Sequence, residues 1–313
     1  MGDKIAIRDA YGEALERLGD RNKDIVVLEA DVGSSSKSIL FGRSYPERYY
    51  NVGIAELNMV GMAAGFAYEG LIPFVNTFAT FLVGRAADPI NSLIAYDRLN
   101  VKLCGTYCGL SDSYDGASHH SAHDIAYFRA IPNMTVLSVC DAVETRKAVE
   151  AAAGFDGPVY LRLSRAPAET IFDEAYDFQI GKGVVLREGR DVTLIGTGCM
   201  VQKCLEAAEL LKAEKIEARV VDVHTIKPID EALLTACAEE TGAVVTAEEH
   251  SIYGGLGSAV AEVLSRHCPV PIGYVGLTDF AESGDYDQLL SKYYLDSAAI
   301  VKIAKEQIAK KEK

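Results

Sequence analysis

Short apolar runs alternate with amphipathic stretches along the whole chain, and that alternation predicts an α/β fold. Residues 5–21 read as a helix and residues 24–32, DIVVLEADV, as a strand. Helical patterns follow over 55–70 and 78–97, separated by the strand 71–77. A strand over 100–109 precedes a polar loop at 110–124. The strand 134–140, the helix 141–155 and the strand 158–165 complete the first unit. Short apolar runs set between helices imply parallel strands covered on both faces.

Between Arg165 and Gly183 the periodicity lapses, as in a linker. A second α/β unit follows, with strands over 192–198, 218–223, 243–249 and 271–277 and helices over 200–214, 254–267 and after Ser297. Both halves therefore read as doubly wound domains: residues 1–170, a linker at 171–183, and residues 184–313. Fold alone assigns no function.

Composition narrows the partners. A formal net charge of −14 argues against nucleic acid or an anionic membrane as the main partner. It leaves room for anionic substrates, because a few placed arginines bind an anion inside an acidic protein. No uncharged apolar stretch reaches the roughly 18 residues of a membrane span, and the N-terminus lacks a basic-then-apolar signal segment. Seven scattered cysteines, an odd number, suit buried free thiols in a reducing cytoplasm better than a disulfide framework. Cys104 and Cys108 lack the second pair that a zinc site needs.

Candidate chemistry lies in a few segments. Gly196-Thr197-Gly198 and Gly254-Gly255-Leu256-Gly257 each join a strand to a helix, but neither completes a dinucleotide-binding GxGxxG. Tight turns and close helix packing account for them. In Asn51-Val-Gly-Ile-Ala-Glu56 a carboxylate opens a helix built of Met, Ala and Gly, where it serves either catalysis or the helix macrodipole. Phe78 and Phe81 fall on one helical face, as core or as a ligand platform. The loop at 115–123 holds three histidines, and His119 and His123 have the i, i+4 spacing of a metal site if that stretch is helical. The Asp115-Gly116 turn and the serines favour a loop.

Together, in this order, NVGIAE, TFATF, DGASHH, FRAIPNMTVL, DAVETRKAV, YLRLSR and EEHSIYGGLGSAVAEVL resemble the transketolase family, over essentially the whole chain. The resemblance implies a thiamine-diphosphate pyrimidine-binding domain followed by a transketolase-like C-terminal domain. It implies that Glu56 hydrogen-bonds N1′ of the cofactor aminopyrimidine and so promotes loss of the thiazolium C2 proton. Apolar surroundings would suit a proton shared between that carboxyl and the ring. Phe78 and Phe81 match the aromatic positions flanking the aminopyrimidine. Asp115 and His119 match donor-sugar contacts, with His119 a second catalytic candidate. Arg8, Ser35 and Arg165 match phosphate contacts, and Asp31 matches a position near the cofactor at the subunit interface. Without the family context, surface ion pairs and a turn hydroxyl would explain Arg8, Arg165 and Ser35. His250 and the GGLG turn are family-like, with packing or an assembly contact as the expected role.

Two departures lie in the substrate channel: His120 stands where the family usually has Gln, and Tyr107 where many members carry a substrate-contacting histidine. Gly-Asp-Gly, the motif that holds the diphosphate and Mg²⁺ in this family, does not occur; Ser283-Gly284-Asp285-Tyr286 is the nearest approach. The expectation is therefore a separate C-terminal subunit with no metal ligands of its own. Its partners would be an N-terminal subunit carrying Gly-Asp-Gly and Mg²⁺, and a second copy of itself in an α₂β₂ assembly. The implied reaction moves a two-carbon ketol unit from a phosphorylated ketose to an aldose. A 1-deoxyxylulose-5-phosphate-synthase-like condensing enzyme and a non-catalytic module that kept the fold are the alternatives.

Overall fold

Strands made almost wholly of buried apolar residues run side by side in two sheets. The computed structural model describes residues 4–311. In the first sheet Tyr49–Asn51, Ile25–Glu29, Ile72–Phe78, Lys102–Thr106, Val159–Leu163 and Thr135–Ser138 lie in that order, all parallel. Helices on both faces explain why these strands lack a polar alternation. The helix Glu56–Tyr68 buries Met59, Val60, Ala63 and Ala64. Burial of each larger side chain of that kind contributes roughly 1.5–3 kcal/mol.

The second sheet orders Ile272–Leu277, Val244–Ser251, Val192–Gly196 and Ala218–Asp222 in parallel, with Val184–Arg187 antiparallel at the edge. All the strands anticipated from the sequence are present. Four short ones are not announced by the pattern: Lys4–Ala6, Pro167–Glu169, Val184–Arg187, and Thr225–Lys227, which crosses over to pair antiparallel with Thr135–Ser138 of the first sheet. Nor does it announce the helices Gly33–Ser36, Ile39–Ser44, Asp124–Ala130, Glu231–Thr241 and Tyr286–Lys292. A third sheet is a two-stranded clasp, in which Lys4–Ala6 pairs antiparallel with Pro167–Glu169.

The helix expected over 78–97 differs in detail. Residues through Phe78 belong to the strand, the α-helix spans Ala79–Pro89, and a π-helical stretch continues over Ile90–Ala95. Pro89 has no N–H to donate and crowds the preceding turn, and Ala86 departs from helical angles at φ −123°. The wider hydrogen-bond register appears where Tyr96 N–H reaches Asn91 O. None of the described helices is long and apolar enough to cross a membrane.

Candidate functional site

The expected site residues gather beyond the C-terminal ends of the first sheet's parallel strands, where open α/β sheets place their ligands. Phe78 ends one strand, Tyr107 follows another directly, and Arg165 lies just past a third. Glu56 is the first residue of its helix and is only 3% exposed. Its surroundings are not wholly apolar, contrary to expectation. Arg85 donates from Nη1 to Glu56 Oε1 at 2.7 Å, and its guanidinium lies 3.6 Å from the Phe81 ring centroid. Arg85 escaped the sequence reading because a helix arginine ordinarily marks a solvated face.

The two phenylalanine rings lie 5.5 Å apart at 33°, so they meet as a tilted pair. Phe78 stacks on Tyr107 with centroids 4.5 Å apart. His119 approaches both phenylalanines edge-on, at 6.0 and 5.2 Å. Tyr107 has a left-handed backbone at φ 57°, a cost tolerated where the surroundings over-determine a conformation. Its hydroxyl accepts a hydrogen bond from Arg8, and the Arg8 and Arg165 guanidiniums each lie 5.3 Å from its ring. One tyrosine thus connects the aromatic platform to the arginines.

Arg8 and Arg165 line a pocket of ≈ 390 Å³ with Asp9, Ser111, Ser113 and Tyr114. Arg8 also donates to the carbonyl of Ser35, so Ser35 joins the site through its backbone. Beneath the pocket Asp112, 1% exposed, lies 3.5 Å from Arg165. Burial, reinforced by the charge of Asp115, pushes the Asp112 carboxyl up to about 7 against the pull of Arg165 and Arg8. Asp115 itself is exposed on the loop. Asp112 carried no sequence signal, since an acid in a polar loop is ordinarily solvated.

The second domain holds the loop that carries these groups. Buried Glu249 accepts from Leu110 N–H at 2.5 Å, from Tyr286 at 2.9 Å and from the Cys199 thiol at 2.6 Å. Arg162 forks onto Asp124 at 2.7 and 3.3 Å and donates to the Glu249 carbonyl at 2.8 Å. Gly284 N–H reaches Ser113 O at 3.0 Å, and Ser251 N–H reaches Ala122 O at 2.8 Å. His250 is buried and kept neutral, pushed down to about 4 by desolvation; its Nε2 accepts from Ala126 N–H at 3.3 Å. It packs between the domains.

Other candidates fall apart. His119 ends a 3-10 turn and His123 precedes the helix Asp124–Ala130, so the stretch is no continuous helix and the i, i+4 pairing is not realised. Among the described residues, the group able to approach a metal ion is Cys140, Glu144 and Asp222, in the core. Asp31 bonds to Asn51 at 3.0 Å and not to the other candidates. The GGLG turn brings the Leu256 and Gly257 N–H groups to Glu248, at 2.7 and 2.8 Å, so an internal carboxylate fills that helix N-terminus. All seven cysteines are free thiols.

A thiamine pyrimidine fits what is present: a buried carboxylate for a ring nitrogen, and aromatic rings linked to it through Arg85. Among the described residues, buried polar atoms left without a hydrogen bond include Arg8 and Asp112 at the arginine pocket and Thr77, His120 and Ser121 near the strand ends; others lie elsewhere, on Asn100, Arg219, Asp222 and His224. His120, near Ser113, is held below its ordinary range by burial.

The family model for the transketolase pyrimidine-binding domain matches residues 3–169, and that for the transketolase C-terminal domain matches residues 181–300. A 6-deoxy-6-sulfo-D-fructose transketolase subunit from Clostridium sp. is 43% identical, over 97% of this chain and 95% of its own length. The transketolase of Rattus norvegicus is 40% identical over 99% of this chain and 50% of its own length. A split-gene transketolase solved as an inactive beta4 tetramer superposes with a TM-score of 0.91 at 47% identity, covering 98% of this chain and 99% of that one. The chain belongs to the transketolase family, as a pyrimidine-binding domain followed by a C-terminal domain.

Proposed function

We propose that this chain is the C-terminal subunit of a split, thiamine-diphosphate-dependent transketolase that transfers a two-carbon ketol unit from a phosphorylated ketose to an aldose. The observation that carries the reading is an unbroken run of contacts: buried Glu56 to Arg85, Arg85 over the Phe81 ring, Phe81 to Phe78, Phe78 stacked on Tyr107, and Tyr107 against Arg8 and Arg165. Thiamine diphosphate, when bound, supplies the carbon nucleophile. Glu56 holds a proton at N1′ of the aminopyrimidine, and Phe78 and Phe81 orient that ring. His119 and Asp115 contact the donor's hydroxyls and carbonyl. Arg8, Arg165 and Ser35 bind the distal anion, whose binding energy positions the reacting carbon. Asp31 lies toward the cofactor at the subunit contact.

The diphosphate and Mg²⁺ belong to an N-terminal partner with Gly-Asp-Gly, in an α₂β₂ assembly within the reducing cytoplasm. The free thiols suit that compartment. Tyr107 and His120, together with the sulfo-sugar named for the Clostridium relative, favour a specialised ketose as donor. Glu56→Gln, assayed with the partner subunit, should fold normally and lose about 10²- to 10⁴-fold in turnover, the range of an acid–base contribution. Turnover at the wild-type rate refutes the assignment.

A further inference from the structure

Two guanidiniums for one anion would normally stand clear of carboxylates, yet here a buried acid sits directly behind one of them. Asp112 Oδ1 lies 3.5 Å from Arg165 Nη1, while Oδ2 is buried without a hydrogen-bond partner. An unpartnered buried oxygen is a costly arrangement unless it is used or protonated. The backbone fixes it in place, since Ser111 and Ser113 on either side line the pocket and Asp115 N–H bonds to Asp112 O at 3.0 Å. The charged groups facing Asp112 are Asp115, Arg165 and Arg8. Asp9, paired with Lys37 at 3.3 Å, and Asp285, which caps the helix Tyr286–Lys292, line the same pocket.

We propose that Asp112 competes with the substrate's terminal oxyanion for the Arg165 guanidinium, so that Arg8 and Arg165 hold that oxyanion tightly only while Asp112 carries a proton. Ionised Asp112 neutralises one guanidinium; protonated, it leaves both to the ligand. Asp112 acts through Arg165 and is a positioning residue. The inference rests on reading Arg8 and Arg165 as the substrate-anion site.

Sulfate is the probe, because its charge is constant over the range tested whereas a phosphate ester titrates near pH ~6. Calorimetry on the full chain should show wild-type affinity falling with rising pH above about 7, the value to which burial pushes the acid, by up to about tenfold per unit. Asp112→Asn should bind with a flat profile near the wild-type low-pH affinity. Asp115→Asn removes a repulsion and should move the wild-type midpoint to lower pH; it decides the matter if the first variant does not fold. A wild-type slope retained in Asp112→Asn, or an unmoved midpoint in Asp115→Asn, overturns the proposal and leaves the anion site standing. Absence of sulfate binding at every pH in all variants overturns the anion site and the proposal together.

Discussion

Removing the Asp124 carboxylate should be among the most damaging single changes this chain can suffer. Asp124 accepts from Arg162 Nε at 2.7 Å, from Arg162 Nη2 at 3.3 Å and from the Tyr160 hydroxyl at 2.7 Å. Its side chain is 0% exposed and that of Arg162 is 2%, so water cannot replace what is lost. Asp124→Ala strands a buried guanidinium, which costs about 3–5 kcal/mol. That is a large share of the ~5–15 kcal/mol that holds a typical protein folded.

The assay is urea unfolding followed by circular dichroism. Arg162→Met combined with Asp124→Leu removes both charges and should recover much of the loss. It should still fall short by the bonds from Arg162 to the carbonyls of Ser121 and Glu249, worth about 1 kcal/mol each. A loss below about 1 kcal/mol for Asp124→Ala, or a double variant no better than the single one, refutes the stranded-charge argument. The pH sense follows from the same contact. Burial pushes the Asp124 carboxyl up, but the Arg162 charge and the hydrogen bonds from Arg162 and Tyr160 outweigh it and hold the group below its ordinary range. The contribution is therefore present above the unfolded value of about 4 and lost as pH falls through the lower folded value.

Tyr107→Phe keeps the stack on Phe78 and loses the hydroxyl that fixes Arg8; steady-state kinetics with the partner should show KM for the donor raised about fivefold and kcat within about threefold. Gly109 has φ 60°, and a Cβ there would lie 2.5 Å from the Glu249 carboxyl. Gly109→Ala should cost roughly 1–3 kcal/mol in thermal unfolding, and a neutral result would remove Glu249 as the holder of the loop. In the core, burial pushes both Glu144, to about 7, and Asp222 up, and the two carboxyls lie within 4.8 Å of one another. Raised acids stabilise below their unfolded values, so wild-type stability should decline as pH climbs from about 5 to 8. Asp222→Asn should flatten that decline in denaturation midpoints measured across the range, and an unchanged slope would exclude the pair as its source.

Periodicity alone marked the parallel strands because strands buried on both faces must be apolar throughout, as Ile25–Glu29 and Val159–Leu163 are. Pro89 could be read as a threat to its helix, but whether the chain would break or widen into a π-turn depended on packing. The strand Thr225–Lys227 is three residues long and pairs with the other domain, so no local pattern announced it. The ordered motifs placed Glu56, Phe78, Phe81, His119, Arg8 and Arg165 on the list of candidates. They said nothing of Arg85, Asp112 or Glu249, because those residues acquire meaning only from neighbours distant in sequence.

What the sequence determined is the class of fold and the family, both written in local periodicity and in segments whose chemistry is carried within a few residues. What only the tertiary structure decided is the electrostatics of the site: Arg85 on Glu56, Asp112 beside Arg165, and Glu249 reaching across 139 positions to Leu110. The physical reason is that the energy of a charge depends on its burial and on the charges within a few ångströms. Neither quantity exists until the chain has folded.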